Sequence, residues 1–267
     1  MGDDVLRCEE LRQRVQCDFH RAAPDEVRRA LGLRLEEVDG ALVSVATGEP
    51  SILFNRTIGL GVGAPASAAT VAAIRDVYAG AGTGRYFVHL HPAARPAGLR
   101  AWLEAAGLRP ARAWTAFERG AKPAPEAGTD LVVAPIAADK AEDFGRIVAD
   151  AFDMGAAAVP LFAGLARRPG WRLYLGVADG RPAAAGALFV DGEVGWLGFG
   201  ATVPALRRRG GQRAMLARRI EDARGLGCRL LLTETGEAVP GDPQHSHHNI
   251  EWAGFRPAFR LENYAPA

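Results

Sequence analysis

The chain has 267 residues, 48% hydrophobic and 24% charged, a balance that excludes a disordered or collagen-like chain and supplies one large core or two modest ones. Its 32 Lys and Arg nearly match its 31 Asp and Glu, so no overall field favours nucleic acid or an acidic membrane, and any basic site must be local. No apolar run reaches the roughly 18 to 20 residues of a membrane span, and the opening MGDDVLRCEELRQRV is too charged for a secretory signal, so a soluble cytoplasmic protein without a membrane partner is expected.

Cys8, Cys17 and Cys228 are odd in number and lack metal-type spacing, which points to reduced thiols and no structural zinc. Between Cys8 and Leu31, charged and apolar positions recur at helical spacing, broken by AAPDE, where Asp25 after Pro24 opens a second short helix. ALVSVATG (41–48) and SILFNRTIGLG (51–61) are runs rich in Val, Ile and Leu separated by a turn, as expected of neighbouring antiparallel strands. A helix over ATVAAIRDVYAGAG, a strand over RYFVHLHP, a helix over GLRAWLEAAGL and a strand over ARAWTAFERG complete a small α/β unit.

AKPAPEAG then follows Gly120, a run of Pro, Ala and Gly with little capacity to pack, and it places a linker at 122–128 between domains 1–121 and 129–267. The second half repeats the order of the first: strand DLVVAPI (130–136), helices over KAEDFGRIVADAF and VPLFAGLARR, strands WRLYLGVADG, PAAAGALFVDG and EVGWLGFGATV, helix QRAMLARRIEDARGLG, strand CRLLLTETG, helix SHHNIEWAG and strand RPAFRLENY. Five successive elements agree between the halves, which suggests two copies of one fold.

PALRRRGGQRAML (204–216) sets three arginines and two glycines between a strand and a helix. The first turn of a helix has N–H groups without internal acceptors at the positive end of the dipole, an arrangement suited to an anion. Gly210 and Gly211 let the chain curl close to a bulky group, while Arg207, Arg208 and Arg209 surround it with charge that a multiply charged phosphate would relieve. No Lys-Ser or Lys-Thr follows these glycines as a P-loop requires, and no GxGxxG opens the unit.

With its flanking strand and helix, the segment resembles the pyrophosphate loop of the GNAT family of acyl-CoA-dependent N-acetyltransferases, written [QR]xxGx[GA]. Arg207 matches the basic position and Gly210 the glycine, whereas Gln212 stands where Gly or Ala is usual. The pair Gly254-Phe255 resembles the family's closing AGF or LGF, and the likeness spans residues 130 to 264. The resemblance implies an α/β (α+β) fold of two GNAT-like domains, each a mixed, mostly antiparallel twisted sheet flanked by helices. It implies acetyl-CoA as co-substrate, no metal, and an amine acceptor on a small molecule or peptide. The expected cofactor residues are Ala201, Thr202, Val203, Arg207, Arg208, Arg209, Gly210, Gly211, Gln212, Arg213 and Asn249. The strand 193–202 is expected to bulge and splay from its neighbour, and its Gly195, Gly198 and Gly200 suggest a bulge independently. The first half's corresponding turn, GVGAPASAAT, carries no basic residue, which marks the first copy as degenerate.

Amine acetylation needs positioning, an oxyanion partner and proton transfer. Glu234, at the end of its strand, is the first candidate base and Glu193 the second. The family's usual acid, a tyrosine four residues before the closing glycine, is Ile250 here, leaving Ser246, Tyr264 or solvent to protonate the leaving thiolate. That departure and Gln212 keep open a CoA-binding regulatory protein without efficient turnover. A nucleic-acid reading of the arginines is opposed by the near-zero net charge. In QHSHH, His245, His247 and His248 have no complementary ligand group and read as loop histidines near the acceptor site. His89 and His91 share one face of a strand and read as a half-buried strand end. Trp171, Trp196 and Trp252 read as core or pocket walls.

Overall fold

The computed structural model describes residues 3–267. The chain forms two compact units, one holding the chain up to Arg21, Asp25–Trp114 and Phe259–Ala267, the other Ala22–Pro24 and Thr115–Ala258. A single cut at 122–128 divides the sequence differently, because the last strand's end belongs with the first unit. Tyr264 is opposite Val88 in an antiparallel pair and is buried in that unit's core. No helix among the described residues is long and apolar enough to cross a membrane.

The first unit contains α1 (Asp3–Arg21), α2 (Asp25–Ala30), β1 (Leu33–Val38), β2 (Ala41–Ala46), β3 (Arg56–Ile58), α3 (Ala68–Gly80), β4 (Phe87–Leu90) and α4 (Leu99–Ala105). Strand order is β1-β2-β3-β4, with only the β3–β4 pair parallel. Val43 and Val45 face α3 and α4 in one apolar cluster with Ile74, Tyr78, Leu99 and Leu103, whereas Ser44 between them turns to the other face, as strand alternation requires. β1 is absent from the sequence expectation because LRLEEV has few apolar positions. The residues after it carry the signal: Asp39 and Gly40 both have positive φ, 48° and 80°, the requirement of a two-residue hairpin turn. The strand expected over 51–61 shrinks to 56–58. Asn55 holds the preceding residues in a loop, accepting from Ala46 N at 2.7 Å and donating to Glu49 O at 2.7 Å.

The second unit contains the end of β5 (Leu108–Gly120), then β6 (Val132–Pro135), α5 (Ala141–Ala151), α6 (Val159–Gly164), β7 (Trp171–Ala178), β8 (Arg181–Asp191), β9 (Val194–Thr202), α7 (Gly211–Gly225), β10 (Leu230–Gly236), α8 (His245–Trp252) and the start of β11 (Arg256–Pro266). Strand order is β10-β9-β8-β7-β6, antiparallel except for β9–β10. Leu188, Leu197 and Leu231 pack with Met215, Leu216 and Ile220 of α7. Each such buried side chain contributes about 1.5–3 kcal/mol, and this packing anchors the helix whose N-terminus forms the site. Within each unit the strands pair in mixed, mostly antiparallel fashion and are flanked by helices.

Candidate active site

β10 runs beside β9 only through Leu230–Leu232, opposite Val194–Trp196, and the register ends there although both strands continue. Just beyond, β9 bulges: Gly198 is opposite Ala187 and Ala201 opposite Ala185, so the interval 198–201 is matched by the shorter 185–187. Phe199 takes up the extra residue with φ of 52°, a left-handed conformation uncommon outside glycine. The expected bulge and splay are thus both present.

Side chains satisfy the carbonyls that this geometry strands. Where the two strands part, Thr233 Oγ1 donates to Leu197 O at 2.8 Å. Arg219 of α7 donates Nη1 to Ala187 O at 3.0 Å and Gly198 O at 2.9 Å, and Nε to Met215 O at 3.0 Å. Burial lowers its pKa to about 10, so the guanidinium remains charged at neutral pH. A Cβ on Gly186 would lie 2.9 Å from Arg219 Cζ, which explains a glycine within that strand. Neither Arg219 nor Thr233 is named by the motif; the glycine-rich β9 was the available clue that something must fill a bulge.

The loop before α7 turns through Arg208 and Gly210, with φ of 67° and 76°. Gly210 is required twice over, because a Cβ there would lie 2.2 Å from Gly128 O. It caps α7 without any side-chain hydrogen bond, and the first helical bond is Ala214 N to Gly210 O. Helix geometry leaves the N–H groups of Gly211, Gln212 and Arg213 without acceptors in their own helix. The corresponding helix of the first unit differs: Ser67 and Thr70 close a reciprocal capping box on α3. One N-terminus is spent on its own side chains and the other is not.

The three arginines, equivalent in sequence, divide in space. Arg209 pairs with Asp130 and lies 3.9 Å from Asp179, while its carbonyl accepts from Thr129 Oγ1 at 2.7 Å, so it braces the loop. Arg207 and Arg208 are exposed, with Arg207 Nε 3.4 Å from Thr202 O. Val203 N donates to Ala183 O across β8, so that N–H faces away from the opening. Ala201 and Thr202 are buried. Gln212 Nε2 donates to Thr202 Oγ1 at 2.9 Å, and its Oε1 would lie 3.1 Å from a Cβ on Gly200, so the side chain spans the gap between α7 and the end of β9. Arg213 Nε donates to Asn249 Oδ1 at 3.2 Å, and its guanidinium lies 5.0 Å from the centre of the Trp252 ring, tying α7 to α8.

Glu234 is half-buried on β10, beyond the last β9 pair, in the splayed part of the strand. Ser246 is exposed in the first turn of α8. Glu193, the second candidate base, precedes β9 at the end remote from the loop and pairs with Arg229 at 3.0 Å. Tyr264 belongs to the first unit's core. Ile250 is buried among the second unit's apolar side chains, which accounts for a hydrocarbon there. His247 packs edge-on against Phe117 at 4.9 Å and lies 3.4 Å from Glu251. Trp171 and Trp196 join Phe162, Phe189 and Phe199 in an aromatic cluster, with Trp171 stacked on Phe199 at 6.0 Å. Among the described residues, no three His, Cys, Asp or Glu are gathered as for a metal ion.

No family model and no curated protein matches the chain. Solved structures do. A GCN5-related N-acetyltransferase from Kribbella flavida is 19% identical with a TM-score of 0.64, over 95% of each chain. One from Sphaerobacter thermophilus is 16% identical with a TM-score of 0.58, over 84% of this chain and 79% of its own. A tandem GNAT protein from the clavulanic acid biosynthesis pathway is 17% identical with a TM-score of 0.57, over 84% and 77%. At these identities the likeness is one of fold, and the chain has the tandem GNAT-like fold.

Proposed function

We propose that the second unit binds acetyl-CoA and acetylates an amine of a small molecule or peptide. The observation that carries this reading is the parting of β9 and β10 after Trp196 and Leu232 beside an α7 N-terminus that no side chain caps. The residues suit the group: the first-turn N–H groups, with exposed Arg207 and Arg208, favour a diphosphate, and the parted strands leave main chain for an extended amide arm. Arg209 and the Arg213–Asn249–Trp252 contact hold the loop and neighbouring helix in place.

When bound, acetyl-CoA supplies an activated thioester: the acceptor nitrogen bonds to the acetyl carbon as the carbon–sulfur bond breaks, and CoA leaves as the thiol after taking a proton. Glu234 is assigned the removal of the amine proton, and Ser246 or solvent the delivery of one to sulfur. The aromatic cluster keeps the α5 and α6 side of the sheet dry. The first unit, whose α3 is self-capped, is assigned no CoA.

A second reading, CoA binding with regulation in place of turnover, is favoured by Ile250 and by Gln212 at the mouth of the opening. Calorimetric titration with acetyl-CoA, followed by thiol-release assays over an amine panel, tests both. Saturable binding with turnover supports the first reading and binding without turnover the second; no binding rejects both.

A further inference from the structure

The α1 face of the first unit's sheet is polar where a core is ordinarily apolar. Glu9, Arg12, Gln16 and His20 recur at helical spacing along α1 and are buried, as are Arg56 on β3, His89 on β4 and His91 just after it. Glu9 pairs with Arg12 at 2.8 Å and accepts from Gly59 N at 3.0 Å. Arg56 donates Nε and Nη2 to Gln16 Oε1 at 2.8 and 2.6 Å. Burying so many polar groups is costly and persists where they are used.

Both histidine tautomers follow from their neighbours. Arg12 Nη2, which can only donate, lies 3.4 Å from His89 Nδ1, and Ala93 N donates to His91 Nδ1 at 2.9 Å. Each neutral ring therefore carries its proton on Nε2. Burial holds both rings below the ordinary histidine pKa, aided by Arg12 at each and by Arg56 at His89, while Glu9 opposes it at His91. His89 and His91 are 1% and 5% exposed, and neither Nε2 has an acceptor among the described residues. A buried donor left in that state destabilises the fold unless an acceptor meets it.

We propose that the first unit holds a small monocarboxylate, its oxygens accepting from His89 Nε2 and His91 Nε2 within the field of Arg12 and Arg56. A carboxylate has two oxygens for two N–H groups, and a single charge tolerates the nearby Glu9 better than a phosphate dianion would. Trp114, 5.2 Å from the His89 ring, and Phe259, 4.3 Å from the His91 ring, suit a short hydrocarbon tail. A metal ion is disfavoured, since the nitrogens available to it carry protons and guanidiniums adjoin them. This site lies in the first unit and stands whether or not the second unit binds CoA.

Histidine-labelled full-length protein, followed by NMR of the imidazole N–H groups, tests it with sodium acetate, propionate and phosphate at constant ionic strength. Assignment comes from His91→Phe and His89→Gln. Acetate or propionate is expected to shift both Nε2–H resonances saturably, phosphate is not, and His91→Phe is expected to weaken carboxylate binding by about tenfold or more. Absence of a shift with either carboxylate, or an equal response to phosphate, overturns the proposal. Should a variant fail to fold, the native titration decides alone.

Discussion

Arg219 Nη1 donates to Gly198 O at 2.9 Å and to Ala187 O at 3.0 Å, so a buried cation on α7 bridges the two strands at the point where β9 changes register. Arg219→Met removes both bonds and leaves two carbonyls buried. A stability loss of about 2–4 kcal/mol is expected by urea denaturation and, under the proposed function, weaker acetyl-CoA binding because the bulge relaxes. Arg219→Lys keeps charge but not the forked geometry, and falls between. An unchanged denaturation midpoint for both variants would contradict the bridging role.

Thr233 performs the matching task at the other edge of β9, where its hydroxyl reaches Leu197 O. Thr233→Val keeps shape and removes the donor. The expected cost is about 1–2 kcal/mol, seen as a lower thermal midpoint without loss of secondary structure by circular dichroism.

Gln212 occupies the gap between the start of α7 and the end of β9 through its bond to Thr202 Oγ1. Under the proposed function, Gln212→Ala opens that gap and strengthens CoA binding about threefold to tenfold, with little change in stability. Calorimetry of native and variant protein checks the sign; weaker binding in the variant would make Gln212 a cofactor ligand.

Glu234 lies on the splayed part of β10. If it is the base, Glu234→Gln slows acetyl transfer by about a hundredfold at neutral pH, while leaving CoA affinity near native. An unaltered rate would reassign the proton to another group.

His20, His89 and His91 are each buried with lowered pKa values. For His20 the value falls to about 3 through burial first and Arg56 second. Their neighbours include Glu9, Arg12, Gln16 and Arg56. Below about pH 6.5 the unfolded chain binds protons that the folded chain refuses, so stability is full above that pH and declines beneath it. Each histidine contributes up to about 1.4 kcal/mol per pH unit. Urea midpoints at about pH 7.5 and pH 5.5 should differ accordingly, and His89→Phe should flatten the slope. Equal midpoints would show that these rings titrate normally in the fold.

Local chemistry made much of the chain legible. Gly210 is needed wherever the loop must turn through positive φ against Gly128, and the alternation of Val43, Ser44 and Val45 assigns its faces without further knowledge. The Asp39-Gly40 turn carried an equally local signal, yet β1 before it, with few apolar residues, is absent from the sequence expectation. His89 and His91 were assigned to one face correctly, but a half-buried strand end underestimates their burial, because the depth of that face depends on α1, distant in sequence.

The sequence by itself determined the order of the elements after β1, the turn glycines and the uncapped start of α7, because these depend on residues within a few positions of one another. Only the tertiary structure decided that Arg209 is spent on Asp130 while Arg207 remains exposed, that Arg219 fills the bulge, and that Tyr264 completes the first core. Those outcomes depend on which distant group arrives to meet a charge, a carbonyl or an apolar surface, and spacing along one chain carries no record of that.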